Sequence, residues 1–215
     1  RFFKIYDKEN WVFNDIPREN RKSRRLEFKP IDVSDFSQEM VFDYGNKVII
    51  MSATILNKNA FCEMLGIDKQ ETGFISLPSP FPIKNRPILF FPIGKMSYSH
   101  IDSSLPKMID AVRKIMENHK KEKGIIHCHT FRIAKYIKEN IRSRRILIHN
   151  SENRQEMLDK HINSKSATIL LSPSMTEGID LSGDASRFQV LCKVPYPFLG
   201  DKLIKKKMNK KAIKG

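Results

Sequence analysis

Short aliphatic runs alternate along this chain with segments that repeat apolar residues every three or four positions. The runs predict strands buried on both faces, and the repeating segments predict helices with one buried stripe. The predicted strands span residues 47–51, 88–91, 124–129, 146–149, 168–171 and 188–194. The predicted helices span residues 33–44, 57–66, 103–123, 131–141 and 153–163. This alternation predicts βαβ units, and therefore an α/β three-layer sandwich around a mostly parallel sheet.

Capping and stop residues place the ends of the predicted helices. Ser103 or Ser104 caps the longest helix with Pro106 in its first turn, Thr130 caps the next one, and Gly66 ends the helix over residues 57–66. The residues predicted to face inward are Phe36, Met40, Val41, Ala60, Phe61, Met64, Leu65, Leu105, Met108, Ile109, Val112, Ile115, Met116, Ile133, Ala134, Ile137, Ile141, Met157, Leu158 and Ile162.

Two segments depart from this periodicity. Residues 71–92 contain five prolines and predict an extended crossing between two sheets or lobes. The tail from Asp201 to Gly215 holds seven lysines and one acidic residue. A helix, a disordered basic end and a solvated lysine face all remain open for this tail.

The charge balance points to a polyanionic partner. The 215 residues include 39 Lys and Arg against 24 Asp and Glu, which gives a net charge of +15, and nucleic acid is the first candidate partner. No apolar run approaches the roughly 20 residues of a membrane span, so we expect no membrane partner. Three widely spaced cysteines and no apparent signal peptide predict an intracellular protein, cytoplasmic or nuclear and not secreted.

His127, Cys128 and His129 are spaced like a metal-ligand cluster. In a strand, however, the two histidines share one face and Cys128 points to the other. The chain also has no CxxC pair. We therefore predict no metal site in this chain.

The loop after residues 168–171 is the strongest candidate for a functional site. Loops at the carboxyl ends of parallel strands line the ligand crevice of an open α/β sheet. Gly178 and Gly183 permit backbone conformations that a side chain would forbid. An ordinary turn with a solvated Glu177 and a capping Asp180 remains the alternative. The polar and glycine residues expected within reach of a ligand are Ser172, Ser174, Thr176, Glu177, Gly178 and Asp180.

Five segments, in order between Val48 and Asp201, resemble motifs of superfamily 2 helicases of the XPD/DinG family, whose better-known members carry an iron–sulphur cluster. Two of the segments, at residues 125–131 and 176–180 (TEGID), look like motifs of the second motor lobe. The other three are VIIMSATIL at residues 48–56, LPSPFPIKNR at residues 77–86 and VPYPFLGD at residues 194–201. The resemblance implies a RecA-like second helicase motor lobe, preceded by the tail of the first lobe.

By this resemblance Ser52, Thr54, Glu177, Gly178 and Asp180 belong to the catalytic machinery. Ser52 and Thr54 would link ATP hydrolysis to lobe movement. Gly178 and Asp180, with Glu177, would approach the nucleotide. Turn and cap roles remain the alternatives for Thr54 and Thr130. Hydroxyls at strand ends can grip a nucleic-acid backbone without reading its sequence, and Thr130, Ser172 and Ser174 are the candidates for that contact.

The departures from the family pattern define what the chain contributes. It has no GxxxxGK[ST] phosphate loop, no Asp-Glu-Ala-His type motif, no cluster cysteines and no QxxGRxxR motif. Residues 1–70 then represent the end of the first lobe and residues 71–215 the second lobe. ATP and Mg²⁺ would be bound mainly by the missing first lobe, and an iron–sulphur cluster, if present, would lie upstream.

The resemblance therefore implies part of an ATP-dependent helicase that moves along single-stranded nucleic acid, DNA in the 5′ to 3′ direction, and that is inactive as a fragment. A catalytically silent nucleic-acid-binding module with the same fold is the alternative. An unrelated nucleotide-binding α/β enzyme is a third possibility, which the order of the loops disfavours.

Overall fold

The computed structural model describes residues 6–17, 24–174, 179–197 and 199–214. The described chain forms two compact units, one of Arg1–Arg86 with Pro197–Gly215 and one of Pro87–Tyr196. No helix in these ranges is long and apolar enough to cross a bilayer. The predicted lobe division after residue 70 stays a prediction.

The elements follow one another as β1 (Trp11–Pro17), β2 (Arg24–Pro30), α1 (Ser34–Met40), α2 (Lys58–Leu65), α3 (Ile101–Asn118), β3 (Gly124–His127), α4 (Phe131–Asn140), β4 (Ile146–Ile148), α5 (Arg154–Asn163), β5 (Ile169–Ser172), β6 (Phe188–Leu191) and α6 (Lys202–Lys214). Short 3₁₀ turns occupy Phe42–Tyr44, Ile83–Asn85 and Gly183–Ala185.

The first unit is built on a β-hairpin that the sequence pattern did not predict. Strands β1 and β2 pair antiparallel, with Phe13 opposite Phe28. Trp11 is buried and packs on Phe36 of α1 at 5.6 Å between ring centroids. Helix α2 has the predicted ends: the Asn57 side chain accepts the Ala60 N–H at 2.9 Å, and Gly66 adopts φ +66° beside the Ser34 carbonyl.

Three predictions in the first unit are wrong. The helix predicted over residues 33–44 spans only α1, and Met40 and Val41 are exposed while Ser37 is buried in their place. In α2 it is Cys62 that is buried, and Ala60 and Met64 face solvent. Residues 47–51 form no strand, and Ile49 and Met51 are 86% and 88% exposed. An apolar run becomes a buried strand only where neighbouring strands pair with it, and none pairs with this segment in the described chain.

The second unit contains the predicted parallel sheet, in the order β4-β5-β3-β6. Gly124 of β3 pairs with Ile169 of β5 and with Phe188 of β6, so the carboxyl ends of these strands lie at one edge. Residues 88–91, predicted as a further strand, are exposed and unpaired in the described structure, which corrects that expectation.

Helices cover both faces of this sheet. Ile126, Ile169 and Leu171 lie on one face within a core that includes the stripes of α3 and α4. Ile125 and Leu170 lie on the opposite face and pack against Met157 and Leu158 of α5. The α/β three-layer arrangement is therefore confirmed, and period-two alternation along β3 and β5 places apolar side chains in both layers.

Helix ends in this unit differ in detail from the prediction. Helix α3 begins at Ile101, earlier than Ser103, so Pro106 lies inside the helix. Ser104 does not cap α3 but donates its hydroxyl to the Lys95 carbonyl at 2.9 Å. On α5 His161 is buried, whereas Ile162, which we expected inward, is exposed.

Arg145 ties the amino-terminal edge of the sheet together. Its Nε donates to the Ala167 carbonyl at 2.6 Å and its Nη1 to the Met116 carbonyl at 2.9 Å. Its Nη2 donates to the carbonyls of His119 and Glu122, at 2.7 and 2.9 Å. One planar guanidinium thus satisfies carbonyls at the end of α3 and before β5, a geometry that an ammonium group cannot reproduce.

Candidate functional site

Three of the predicted site residues, Thr130, Ser172 and Ser174, lie at or just after the carboxyl ends of β3 and β5. The Cys128 N–H donates to the Ser172 carbonyl at 2.8 Å, and the Cys192 N–H donates to the His127 carbonyl at 3.0 Å. These bonds extend the strand pairing into the loops after β3, β5 and β6. The loops that carry Thr130 and Ser174 therefore leave the sheet at the same edge.

Thr130 is the N-cap of α4. Its Oγ1 accepts the Ile133 N–H at 3.2 Å, so the cap role is confirmed. A hydroxyl has a hydrogen to donate in addition to its acceptor lone pairs. The half-buried Thr130 can therefore cap α4 and donate to an anion through the same oxygen.

A groove of about 490 Å³ runs between the start of α4 and the end of β4. Two cationic side chains on α4, two amides after β4, one aromatic ring and the half-buried Ile148 surround it. The full lining is Phe131, Arg132, Lys135, Ile148, His149, Asn150 and Asn153. Only Thr130, next to this groove, was on our list of candidates. The signal present in the sequence was a basic pair, Arg132 and Lys135, one turn apart directly after a predicted cap.

The groove has a fixed polar wall. The Asn150 side chain accepts the N–H groups of Glu152 and Asn153, and Asn153 in return accepts the Asn150 N–H, all at 2.8 Å. His149 is buried beneath this turn, with its ring edge-on to Phe131 at 6.4 Å between centroids. Phe131 is half exposed, at 50%.

The cations of the groove have acidic neighbours at its outer side. Arg132 forms an ion pair with Asp102 of α3, and Lys135 lies 3.7 Å from Glu139. All four side chains are largely exposed, so these pairs are screened and weak. The two cations remain accessible to a competing anion such as a phosphate.

His129 occupies a strained position at this edge. Its φ of +59° lies in the left-handed region, which residues other than glycine rarely adopt. Burial lowers the pKa of His129, and the charge of Lys193 lowers it further. Both effects favour the neutral form of the imidazole at this edge of the sheet.

The two serines after β5 differ. Ser174 is exposed in the loop, as expected. Ser172 is fully buried, because it is the last residue of β5 and pairs with His127 of β3 inside the sheet. Our expectation that a ligand can touch Ser172 is therefore wrong for this structure.

The acidic part of the motif is described in part. Glu177 and Gly178 lie outside the described residues. Asp180 is exposed between Ile179 and Leu181, which both pack on the core below α5. Gly183 has φ +60°, the conformation for which we expected a glycine here. Asp180 is thus held at the surface by partly buried neighbours on either side.

Ser52 and Thr54 lie in the first unit and are exposed. The Thr54 N–H donates to Ser52 Oγ at 3.2 Å, and the two hydroxyls lie 3.2 Å apart. The two hydroxyls belong to a turn that lies outside the helices and strands of the described chain.

The cysteines of the second unit form a thiol pair. Cys128 and Cys192 continue neighbouring strands and face the same core. A hydrogen bond with Cys192, together with burial, raises the pKa of Cys128 well above its usual range. Among the described residues no three His, Cys, Asp or Glu side chains form a group that could hold a metal ion.

The family model described as "Helicase C-terminal domain" matches residues 107–214, which is half of the chain. This chain belongs to the helicase C-terminal domain family. The match includes the parallel sheet, the groove beside Thr130 and the loop that carries Asp180. The predicted helicase resemblance is confirmed.

Two curated helicases are similar to the chain. The ATP-dependent DNA helicase YoaA of Escherichia coli is 22% identical over 196 residues, which cover 88% of this chain and 30% of YoaA. The ATP-dependent DNA helicase DinG of Photobacterium profundum is 22% identical over 183 residues, which cover 80% of this chain and 26% of DinG. The chain therefore spans less than a third of the length of these relatives.

Proposed function

We propose that this chain is the second motor lobe, with the end of the first, of an ATP-dependent DNA helicase that moves 5′ to 3′ along single strands. The observation that carries the proposal is the groove beside Thr130 within a helicase C-terminal domain. It joins a capped helix start, two accessible cations and an exposed ring at the edge where this fold class binds ligands.

The groove has the chemistry of a single-strand site. Arg132 and Lys135 can neutralise phosphates, Thr130 and Ser174 can donate hydroxyl hydrogen bonds, and Phe131 can stack on a base. None of these groups reads a base edge in a fixed register. Binding should be salt-dependent and poor in sequence preference, in keeping with the net charge of +15.

The motor function requires groups from two lobes. We propose that Ser52 and Thr54 link hydrolysis to lobe movement, and that Glu177, Gly178 and Asp180 approach an ATP and Mg²⁺ held mainly by the first lobe. In phosphoryl transfer the protein supplies position and charge stabilisation from both sides of the nucleotide. The chain alone should therefore bind nucleic acid without hydrolysing ATP.

The partner lobe is also part of the proposal. The exposed aliphatic side chains of residues 48–51 have the composition of a central parallel strand and support a role inside the sheet of a first lobe. We place the lobe division after residue 70 and any iron–sulphur cluster upstream of this chain.

A binding experiment on this chain tests the groove. Replacing Arg132 and Lys135 with Gln should weaken binding of a labelled oligothymidylate about tenfold, and should lower the salt slope by about 2, since each phosphate contact contributes about 1. Fluorescence anisotropy at several salt concentrations measures both. The control with the same net charge replaces Lys107 and Lys114, which are exposed on α3, with Gln. Equal losses of affinity in the two variants would show that the oligothymidylate is bound by general charge attraction and not at the groove.

A second experiment separates a motor from a silent binding module. In the full-length protein, Asp180→Ala should abolish unwinding and leave the fold intact, whereas Asp159→Ala, an exposed position on α5, should unwind normally. Strand displacement and circular dichroism provide the readouts. Full unwinding by Asp180→Ala would remove Asp180 from the machinery, and a full-length parent protein without ATP hydrolysis would favour the silent module.

A further inference from the structure

A second cleft, of about 400 Å³, lies within the first unit between the β1–β2 hairpin and helix α6. Its lining combines aromatic and lysine side chains, a composition unlike that of an ordinary apolar crevice. The lining residues are Tyr6, Lys8, Trp11, Val12, Phe13, Lys202, Lys205 and Lys206.

The helix side of this cleft is fixed to the hairpin by specific bonds. Lys206 Nζ donates to the carbonyls of Lys8 and Trp11, at 2.8 and 3.2 Å. Asp201 accepts the N–H groups of Leu203 and Ile204 at 2.7 and 3.1 Å, which satisfies the first turn of α6. The positions of Lys202 and Lys205 over the hairpin therefore follow from a capped helix and a tethered lysine.

The hairpin side presents a packed set of rings. Tyr6 lies 6.3 Å from Trp11 and 5.5 Å, edge-on, from Phe28, and Phe13 lies 5.0 Å from Phe28, all between ring centroids. Trp11 is buried, whereas Phe13 keeps 41% of its surface exposed. Rings held by other rings lose little freedom when a planar ligand stacks on them, which favours such a ligand.

The cleft lysines are free of ion pairs in the described part of the chain, although Asp7 and Glu9 flank Lys8 in sequence. Lys8, Lys202 and Lys205 are exposed, and none of the ion pairs within the described ranges uses them. The sequence from Asp201 to Gly215 has seven lysines and one acid. An occupant with regularly spaced negative charges complements this surface, and planar groups between those charges complement the rings.

We propose that this aromatic–lysine cleft is a second binding site for single-stranded nucleic acid, in which a base stacks at Phe13 and phosphates lie against Lys8, Lys202 and Lys205. Stacking on aromatic side chains beside a basic track is the physical basis of sequence-tolerant single-strand binding. An acidic peptide satisfies the lysines but offers no series of planar rings, so the chemistry of the cleft favours nucleic acid. The site shares no residue with the groove beside Thr130.

Trp11 makes the cleft directly observable, because it is the single tryptophan of the chain. Titrating the chain with a short oligothymidylate should change the tryptophan emission saturably, and added salt should shift the midpoint to higher concentration. The variant with Gln at Arg132 and Lys135 should retain this emission change, since the groove is a separate site.

Matched variants test the two parts of the cleft. Phe13→Ala should weaken the emission-detected binding about tenfold through lost stacking, whereas Phe74→Ala, at a similarly exposed phenylalanine (44%) outside the cleft, should not. Replacing Lys202 and Lys205 with Ala should weaken binding about tenfold, since each phosphate contact contributes at moderate salt. Replacing Lys47 and Lys84, exposed residues outside the lining and outside α6, with Ala is the control for net charge.

Three outcomes would overturn the proposal. Binding by anisotropy without any change in tryptophan emission would confine nucleic acid to other surfaces and leave the proposed helicase function standing. An equal emission change with polyglutamate would assign the cleft to an acidic polymer. Unaltered binding by both cleft variants would show that neither the Phe13 ring nor the two lysines contact the nucleic acid. If Phe13→Ala fails to fold, Phe13→Leu keeps the apolar volume, removes the ring and should show the same loss.

Discussion

Strand β5 and residues 48–51 have similar side chains and opposite environments. Both are aliphatic runs that end in hydroxyl residues, yet Ile169 in β5 is fully buried while Ile49 is 86% exposed. The difference lies in the neighbours, since β5 has β3 and β4 on its two edges and helices on both faces. A strand composition therefore shows that a segment can be buried, and only the surrounding chain decides whether it is.

The same contrast extends to the two candidate binding surfaces. The groove of the second unit rests on a packed sheet, so its shape depends on buried residues beneath it. The cleft of the first unit rests on a hairpin and one tethered helix. Substitutions beneath the groove should therefore unfold it, whereas substitutions in the cleft should act mainly on binding.

The largest expected effect compares the two isoleucines directly. Ile169→Ala should lower the free energy of unfolding by about 2–5 kcal/mol because it leaves a cavity in a packed core. Ile49→Ala should change it by about 0.5 kcal/mol or less at an exposed position. Urea denaturation followed by circular dichroism measures both. A large loss for Ile49→Ala would show that residues 48–51 are buried in solution.

The next largest difference in unfolding free energy is expected between substitutions of two arginines, one in each unit. Arg145→Gln should cost about 2 kcal/mol of unfolding free energy because four carbonyls lose a charged donor. Arg24→Gln should cost about 0.5 kcal/mol, because the Arg24–Asp15 ion pair of the hairpin is exposed to solvent. Arg145→Lys keeps the charge and should recover part of the loss. Equal losses at the two arginines would contradict the assigned role of Arg145.

Removing the two helix caps should give a smaller difference in stability between the units. Thr130→Ala should cost about 1 kcal/mol, and Thr130→Ser should restore most of it. Asn57→Ala removes an equivalent cap from α2, which buries only Cys62, so the loss should be confined to local opening. Hydrogen exchange at the Ile133 and Ala60 amides distinguishes the cases. Global destabilisation by Asn57→Ala would show that α2 is coupled to the rest of the chain.

The free energy of unfolding should vary least with pH near neutrality. Its decrease just below neutral pH should arise in the second unit, because that unit contains all six histidines. Burial lowers the pKa of His161, whose ring contacts Thr168 Oγ1 at 2.9 Å and the Ala185 carbonyl at 2.8 Å. The unfolded chain then takes up a proton more readily than the folded chain. Stability should be fully present above the unfolded pKa of about 6.5 and decrease below it.

His161→Gln tests this assignment, because glutamine does not titrate. The variant should show a flatter dependence of unfolding free energy on pH below about 6.5, whereas Asn163→Ala on the same helix should retain the parent slope. Denaturation at a series of pH values measures the slopes. Identical slopes for His161→Gln and the parent would assign the acid sensitivity to other groups.

Local patterns were sufficient for much of the second unit. The apolar stripe of α3, the cap at Thr130 and the alternation of strands with helices depend on residues near each other in sequence, and all three are confirmed. The hairpin strand β1 was not predicted, because its buried Trp11 packs on rings from α1 and from residues before the hairpin. Ser172 was misjudged because burial depends on strand order, which short patterns do not specify.

The sequence by itself determined the α/β class, the resemblance to helicases and the net charge of +15, because periodicity, motif order and charge are properties of the chain alone. The tertiary structure decided which aliphatic runs are buried, that Arg132 and Lys135 face Asn150 and Asn153 across a groove, and that α6 closes a cleft over Trp11. Those contacts join residues distant in sequence, and pairing between distant segments depends on the whole fold.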